Sequence, residues 1–236
     1  KRKIKCTISI LIGFLISGSI SFATGLLNEN IYNTDVEFIA PSGSNVIQTN
    51  NEETYTFNGN VSMKNKGNQP TVWALEGSNL TFNIADGKTL SVENINNNGK
   101  ADAFAIGVNS NYSSNGIMNI YGGNLYIDLK RSIFDNAAYA FQSDNDGELN
   151  INNQSIIIKN VDMGIKMQDD SKVDIKTGYF SIENSYYGIA MQQKTDAKTN
   201  NSVEINSETD INISSKMEGD MKKEAASIYL LSYHKN

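Results

Sequence analysis

Residues 138–214 read AYAFQSDNDGELNINNQSIIIKNVDMGIKMQDDSKVDIKTGYFSIENSYYGIAMQQKTDAKTNNSVEINSETDINIS, and they contain three successive copies of one pattern. Each copy holds three short segments with apolar ends, and these segments are 139–141, 149–151 and 156–158, then 165–167, 173–175 and 180–182, then 189–191, 203–205 and 211–213. The steps from Ile151 to Ile175 and from Ile158 to Ile182 are both 24 residues, a period typical of solenoid proteins. The pattern therefore predicts a β-solenoid with three strands in each turn.

The orientation of these segments follows from the cost of burying charge. Turning them over would bury Asp174 and Glu204 and would expose the Val and Ile residues on either side. An uncompensated buried charge costs several kcal/mol, whereas an Ile or Val side chain that turns inward gains about 1.5–3 kcal/mol. We therefore expect the apolar ends to face the core of an all-β, parallel β-helix. Crossovers between parallel strands are nearly always right-handed, so the helix is predicted to be right-handed.

Similar but less regular segments extend the pattern along most of the chain. They begin near Tyr55 and predict a parallel β-helix of about five to six coils over residues 55–236. A last segment at 228–230 starts a turn that is not completed, so we expect a helix that is open or truncated at its C-terminal end. Residues 24–54 show no repeat and are predicted to form an N-terminal cap, because the first coil of a solenoid must be covered.

The first 23 residues have the composition of a secretory signal peptide. Four basic residues lie among the first five positions, and an almost uncharged apolar run extends from Cys6 to Phe22. Ser21 and Ala23 are small residues at the positions that signal peptidase reads, so we expect cleavage after Ala23. An uncleaved membrane anchor is the alternative, although the run is short for a membrane-spanning helix. Cleavage would remove Cys6, the only cysteine, and the exported protein would then fold without disulfides.

The charge of the exported protein argues against one class of partner. The whole chain carries 20 basic and 26 acidic residues, and removal of the four basic residues in the signal peptide leaves 16 against 26, a net charge of −10. Nucleic-acid binding needs clustered Lys and Arg, so no nucleic-acid partner is expected. No cofactor is predicted either.

Four aspartates in two equivalent turns are the best candidates for chemistry. Asp144 and Asp146 lie in one turn, and Asp169 and Asp170 lie in the equivalent turn one coil later. Stacking would bring their oxygens together, and such oxygens could hold Ca²⁺ or act as paired carboxylates in polysaccharide cleavage. Asp is also an ordinary residue of tight turns. No catalytic set emerges, and a serine protease is disfavoured because the single histidine, His234, lies in a ragged tail.

A column of small residues is the candidate partner-binding surface. The middle positions of the first segment in each coil are predicted to point outward, and they are Ala74, Ala105, Ala140, Lys166 and Ala190, flanked by Tyr139, Tyr186 and Tyr187. A smooth stripe of this kind could accept a partner strand or a neighbouring helix. Small residues also commonly sit beside packed loops, which is the simpler interpretation.

Two columns of amide side chains are also predicted. They consist of Gln142, Gln168 and Gln192, and of Asn94, Asn160 and Asn184. Stacked amides can hydrogen-bond along the axis of a parallel stack, although chance alignment is the alternative in a chain so rich in Asn.

A cleavable signal followed by Asn- and Gly-rich parallel β-helix coils resembles the passenger region of Gram-negative autotransporter proteins. The Asn, Lys and Ile bias is similar to that of surface proteins from AT-rich anaerobes such as fusobacteria. The resemblance implies a non-enzymatic protein at the cell surface, in the outer membrane or outside the cell, which acts in adhesion or self-association. Its partners would be host or bacterial surface molecules, or other copies of itself.

The resemblance also implies translocation through an outer-membrane barrel. Such a barrel would need a series of roughly ten-residue alternating strands, and no such series is recognisable after Val203. We therefore expect the barrel to lie outside this chain. The alternative function is that of a carbohydrate-active β-helix enzyme, such as a polysaccharide lyase or glycosidase, which would use the four aspartates.

Overall fold

The computed structural model describes residues 26–95, 101–107, 115–131, 138–192, 200–215 and 226–231. Within these ranges the chain is all-β, and its strands form one curled, 15-stranded sheet without any helix. The described segments accordingly include no helix that is long and apolar enough to span a membrane. The predicted signal peptide and its cleavage site at Ala23 lie outside the described residues.

Four strands are long and turn corners within a single run of strand residues, whereas the others are short. The strands are β1 (Ile31–Tyr32), β2 (Val36–Ala40), β3 (Ile47–Thr49), β4 (Glu52–Phe57), β5 (Val61–Asn65), β6 (Val72–Ala74), β7 (Asn79–Asn94), β8 (Phe104–Ile106), β9 (Ile117–Asp128), β10 (Tyr139–Ser143), β11 (Glu148–Gln168), β12 (Lys172–Gln192), β13 (Ser202–Ser207), β14 (Ile211–Ser215) and β15 (Ala226–Leu231). Asn160 and Asn184 adopt a left-handed backbone at φ of 51° and 55°, and these residues make the sharp corners inside β11 and β12.

Every pairing between described strands is parallel, and the strands stack in three ladders. Ladder A consists of β1, β4, residues 79–84, 117–122, 148–153 and 172–177, and β13. Ladder B consists of β2, β5, residues 90–94, 124–128, 155–159 and 179–183, and β14. Ladder C consists of β3, β6, β8, β10, residues 161–168 and 185–192, and β15. This arrangement is consistent with the predicted β-solenoid.

Ladders A and B have the predicted register and its 24-residue period. In ladder A, Ile151 pairs with Ile175, which pairs with Ile205. In ladder B, Ile158 pairs with Ile182. The apolar residues of β11 and β12 face the core, and the charged residues that alternate with them face outward, as the cost of burying charge required.

The predicted register of the first segment is wrong in β10. Phe141 rather than Tyr139 pairs with Ile165, a shift of two residues. The Phe141 ring stacks on Phe104 in the core, with ring centroids 5.3 Å apart and planes inclined by 17°. This register buries a ring without a polar atom, whereas the hydroxyl of an inward Tyr139 would need a hydrogen-bond partner inside the core.

The predicted register is also wrong by one residue in β6. Val72 rather than Trp73 pairs with Phe104. Trp73 therefore points outward and is partly exposed, while Ala74 is buried in the core. The observed register places a small side chain against the aromatic core, and an inward indole would overpack it.

The region predicted as a cap, residues 24–54, supplies the first strand of each ladder. β1, β2 and β3 pair in parallel with β4, β5 and β6. Val46 and Ile47 are buried in the same core as the later strands. The predicted boundary at Tyr55 falls inside β4. The repeat is hard to recognise here because strands of two and three residues are too short to display an alternating pattern.

A row of aromatic rings runs along the core through successive strands. Adjacent ring centroids are 5.9 Å apart for Tyr32 and Phe57, 5.7 Å for Phe57 and Phe82, 6.4 Å for Phe82 and Phe104, and 5.3 Å for Phe104 and Phe141. Aromatic pairs at such separations contribute about 0.5–1.5 kcal/mol beyond the burial of their area. The row helps to hold the strands of different ladders in one core.

The two predicted amide columns are only partly present. Gln168 Nε2 donates to Gln192 Oε1 at 2.8 Å, and Asn184 Nδ2 donates to Asn160 Oδ1 at 2.5 Å. Gln142 is displaced by the register shift of β10 and donates to Asp144 instead. Asn94 is separated from Asn160 because Glu93 and Lys159 both pair with Asp128, which places Leu129 between the two asparagines.

Candidate functional site

The four aspartates that the sequence singled out lie in two stacked tight turns. Asn145 and Asp146 have φ of 52° and 61°, and Asp169 and Asp170 have φ of 51° and 64°. Asp and Asn tolerate this left-handed backbone better than most residues. The Asp146 N–H donates to the Asp169 carbonyl oxygen at 2.9 Å and thereby joins the two turns. Turn geometry thus accounts for the residue types at these positions.

The carboxylates of these turns already accept hydrogen bonds from the protein. Asp144 is buried and accepts from Gln142 Nε2 at 3.0 Å. Asp170 is exposed and accepts from the Asn200 N–H. Within the described part of the chain, no three His, Cys, Asp or Glu residues are grouped so that they could hold a metal ion.

The predicted outward column is correct for Ala105, Lys166 and Ala190 only, and none of its alanines is exposed. Ala74 and Ala140 are fully buried in the main core, and the one-residue shift of β6 accounts for the inward position of Ala74. Ala105 and Ala190 occupy outward positions in β8 and β12 but are also fully buried. The true outward column of ladder C is Trp73, Ala105, Gln142, Lys166 and Ala190.

The three tyrosines beside this column are buried in a second apolar cluster. Tyr139, Met163, Tyr186, Tyr187 and Ala190 form this cluster, which is separate from the main core. The rings of Tyr186 and Tyr187 lie 4.4 Å apart, and Lys166 Nζ lies 4.5 Å from the centre of the Tyr139 ring. The outer side of ladder C is therefore a packed layer and not an open stripe for a partner strand.

A buried carboxyl group that sequence reasoning missed lies beside this second cluster. Asp102 Oδ1 accepts a hydrogen bond from the Tyr139 N–H at 2.9 Å. Burial raises the pKa of Asp102 to about 7, the Tyr139 N–H and Lys166 oppose that rise, and Asp144 and Asp162 add to it. Its signal in the sequence is weak, since an acid between two alanines just before a strand is typical of an exposed turn.

A buried ion pair lies close by. Arg131 and Asp162 have side chains that are 1% and 0% exposed, and Nη2 lies 3.4 Å from Oδ2. Asp162 Oδ2 also accepts from the Ala138 N–H at 3.1 Å. Asp162 lies in ladder C, so its two contacts tie Arg131 and Ala138 to that ladder. The lack of exposure of the ion pair indicates a structural role.

An open groove of about 920 Å³ lies on the opposite side of the stack, where ladder A passes into ladder B. Two glycines at this corner allow a close approach between the backbones of successive strands. Gly122 has φ of +80°, and a Cβ there would overlap the carbonyl oxygen of Ile84. A Cβ at Gly178 would lie 2.5 Å from the carbonyl oxygen of Gln154. Backbones of successive strands thus approach each other without side chains between them. We call this hollow the corner groove.

One wall of the corner groove is stabilised by a short insertion in β7. The pairing of β7 with β9 is interrupted between Ile84 and Thr89. Within this interruption, the Gly87 N–H donates to Gln154 Oε1 at 2.9 Å. Gln154 therefore lines the groove and also ties the insertion to β11, two strands further along ladder A.

Most of the residues that line the corner groove have polar side chains. Tyr121, Asn152, Lys176 and Asn206 follow one another along ladder A and are all exposed at the groove. Asn153 is 4% exposed, and its Nδ2 donates to the carbonyl oxygen of Gly122. The Asn153 Oδ1 is buried and accepts no hydrogen bond from the described residues.

The groove carries one cation and one anion. Lys176 Nζ lies 3.3 Å from Asp174 Oδ2, and Glu208 lines the groove at its far end. Sequence reasoning missed this site because Asn and Gln are common throughout the chain. The adjacent glycines at 122 and 123 were its one distinctive signal.

Comparison with known proteins provides no further guide to this site. No family model matches the chain, and neither a curated protein nor a solved structure matches it.

Proposed function

We propose that this chain is an exported, passenger-type β-solenoid that acts in adhesion or self-association at a cell surface. The observation that supports this most is the corner groove, an open concave surface of about 920 Å³ on a regular stack of parallel strands. Concave, preformed surfaces with convergent polar groups are the usual places where ligands bind. The partners would be host or bacterial surface molecules, or other copies of the chain.

The proposal includes a finer architecture and a route of export. The solenoid is right-handed with three strands in each coil, and it has five to six coils from Tyr55 onward, preceded by one formed from residues 31–49. The three parallel ladders and the strong preference for right-handed crossovers support this arrangement. The basic start and apolar run support a signal peptide cleaved after Ala23, followed by translocation through an outer-membrane barrel.

Display of the full chain on a non-adherent bacterium tests the proposed function. Displaying cells are expected to clump or to attach to host cells. A double variant with Asn152→Arg and Asn206→Arg places two bulky cations in the groove and should abolish the effect. The matched control is Asn212→Arg, because Asn212 is an equally exposed asparagine that lies in β14 and does not line the groove. The proposal is refuted if cells that display the chain correctly neither clump nor attach to host cells.

The second candidate function is a carbohydrate-active enzyme that uses the acidic turns. The observation in its favour is the direct stacking of the two turns through the bond from Asp146 to Asp169. Cleavage of a polysaccharide by the purified chain, lost on changing Asp169 and Asp170 to Asn, would favour this enzyme. Asn is the suitable replacement because it tolerates the left-handed backbone of both positions.

A further inference from the structure

We propose that the corner groove binds an uncharged, linear oligosaccharide, and that this sugar is the group that the chain recognises on its partner at the cell surface. The inference rests on the proposed function, which it makes more specific. It depends on the hydrogen-bonding capacity, the direction and the charge of the groove.

The hydrogen-bonding capacity of the groove suits a ligand rich in hydroxyl groups. The exposed amides of Asn152 and Asn206 each offer an acceptor oxygen and donor hydrogens, and a sugar hydroxyl can both donate and accept. Asn206 lines the groove, and its Nδ2 donates to Glu204 Oε1 at 2.8 Å.

The direction of the groove suits a linear ligand. Tyr121 pairs with Asn152, Asn152 pairs with Lys176, and Lys176 pairs with Asn206. Parallel strands lie about 4.8 Å apart, so these side chains form a regular row that runs across four strands. A chain of sugar rings lying along this row would meet a new side chain at each strand.

The aromatic end of the row adds a surface for a sugar ring. The Tyr121 side chain is 38% exposed, and its hydroxyl donates to Asn119 Oδ1 at 3.1 Å. Asn119 in turn donates to Asn79 and Thr81. This network holds the tyrosine hydroxyl in place and leaves the exposed part of the ring as an apolar surface. An apolar ring next to polar groups suits the mixed surface of a sugar.

The charge of the groove argues for an uncharged sugar. Lys176 is paired with Asp174, and Glu208 adds a negative charge at the far end. Anionic polysaccharides would need several unpaired cations, because recognition of acidic groups depends on clustered Arg and Lys. A peptide is a poor fit along most of the row, since a bound peptide strand needs a free sheet edge and β9, β11 and β12 are paired on both sides at the groove. Only β13, which pairs with β12 alone among the described strands, could accept one.

The test uses the purified full chain and a panel of neutral gluco-, galacto-, manno- and N-acetylhexosamine oligomers. Binding is measured on an array and then by titration calorimetry at low and high salt. At least one oligomer is expected to bind saturably with an affinity that salt does not change. Tyr121→Ala, and separately Asn152→Ala combined with Asn206→Ala, should weaken binding at least tenfold. These residues are exposed, so the variants should stay folded, which circular dichroism checks.

Tyr126→Ala is the matched control, because Tyr126 also points outward from β9 but does not line the groove. It should bind like the parent chain. The inference is overturned if the folded chain binds no neutral oligomer, if only charged polysaccharides or peptides bind, or if Tyr126→Ala weakens binding as much as Tyr121→Ala.

The display assay separates this inference from the proposed function. If displaying cells still attach or clump in the presence of excess neutral oligomer, the inference that a sugar is the receptor is refuted, whereas the proposed role in adhesion is not. A chain that binds an oligomer through the groove but gives no attachment or clumping would support the sugar site and refute adhesion.

Discussion

Asp102 places a carboxyl group in the packed outer layer of ladder C, near Lys166, Asp144 and Asp162. Its pKa is about 7 in the folded protein and 3.8 in an ordinary exposed setting. Between pH 3.8 and about 7, Asp102 is therefore protonated in the folded state and has lost its proton in the unfolded state. By linkage, the stabilising effect of the neutral form is complete below about pH 4 and disappears as the pH rises through 7.

We predict that Asp102→Asn is more stable than the parent at pH 8, by up to about 4 kcal/mol, and that the difference shrinks at pH 4. The asparagine keeps an acceptor for the Tyr139 N–H and carries no charge. Urea unfolding at both pH values measures the effect. Asp86→Asn, at an exposed position in β7, is the control and should show no such change. An unchanged pH dependence in Asp102→Asn would contradict the assignment.

Single buried polar residues such as Asp102 and Asp162 were beyond prediction from the sequence. Each lies between apolar neighbours in a region where the alternating pattern predicts an outward, solvated side chain. Their burial depends on contacts between segments far apart in the chain, such as the contact of Arg131 with Asp162. Asp146, Asp169 and Asp170 were correctly placed in stacked turns, because turn residues act locally.

The corner between ladders B and C in β11 and β12 depends on a pair of stacked asparagines. Asn160 and Asn184 both have a left-handed backbone, and Asn184 Nδ2 donates to Asn160 Oδ1. Two separate properties are thus in use at each position. One is tolerance of the left-handed backbone, and the other is the amide hydrogen bond along the stack.

Substitution of Asn184 separates these two properties. Asn184→Gly removes the hydrogen bond, which is worth about 0.5–1.5 kcal/mol, but keeps a residue suited to the left-handed backbone. Asn184→Ala removes the same bond and adds about 1–2 kcal/mol of backbone strain. We therefore expect the Ala variant to be the less stable of the two in thermal and urea unfolding. Asn212→Ala, at an exposed position in β14, is the control and should change little. Equal losses in the Gly and Ala variants would show that the backbone conformation contributes nothing.

Prediction from sequence succeeded for ladders A and B and failed for parts of ladder C, for a physical reason. Leu149-Asn150-Ile151 and its equivalents alternate cleanly between apolar and polar residues, so one register is strongly favoured. Tyr139-Ala140-Phe141 offers apolar or small side chains on both faces, and burial alone does not select its register. The ring stacking of Phe104 and Phe141 selects it instead, and that contact joins residues far apart in the sequence. The corner groove was missed because its lining comes from separate strands, as with Tyr121, Asn152 and Asn206, which only the stacking brings together.

The whole molecule is a stack in which β11 and β12 are interchangeable units. The paired residues of β11 and β12, from Glu148 with Lys172 to Gln168 with Gln192, are all 24 positions apart. β9 pairs with β11 in ladders A and B, and β10 pairs with it in ladder C. Deleting residues 148–171 would therefore place β12 against the strands that β11 now contacts, with apolar residues again facing apolar residues.

We predict that this deletion leaves a folded but less stable protein, because it also removes Asp162, the carboxylate that pairs with the buried Arg131. The shortened chain should keep its β-sheet circular dichroism and unfold cooperatively, with a smaller urea m-value because less surface is exposed on unfolding. Deletion of residues 148–159, half of the unit, is the control and should prevent folding, since the ladders would then meet the wrong partners. Loss of structure in the 24-residue deletion would show that the two units are not equivalent.

The outward position of Trp73 has an optical consequence. It is the only tryptophan in the chain, and its partly exposed ring lies on the outer side of ladder C. The intrinsic fluorescence of the protein therefore reports on one place near the N-terminal end of the stack, whereas far-ultraviolet dichroism reports on all strands together. If the two ends of the solenoid open separately, these two signals will change at different denaturant concentrations. If the stack opens as one unit, their transitions will coincide.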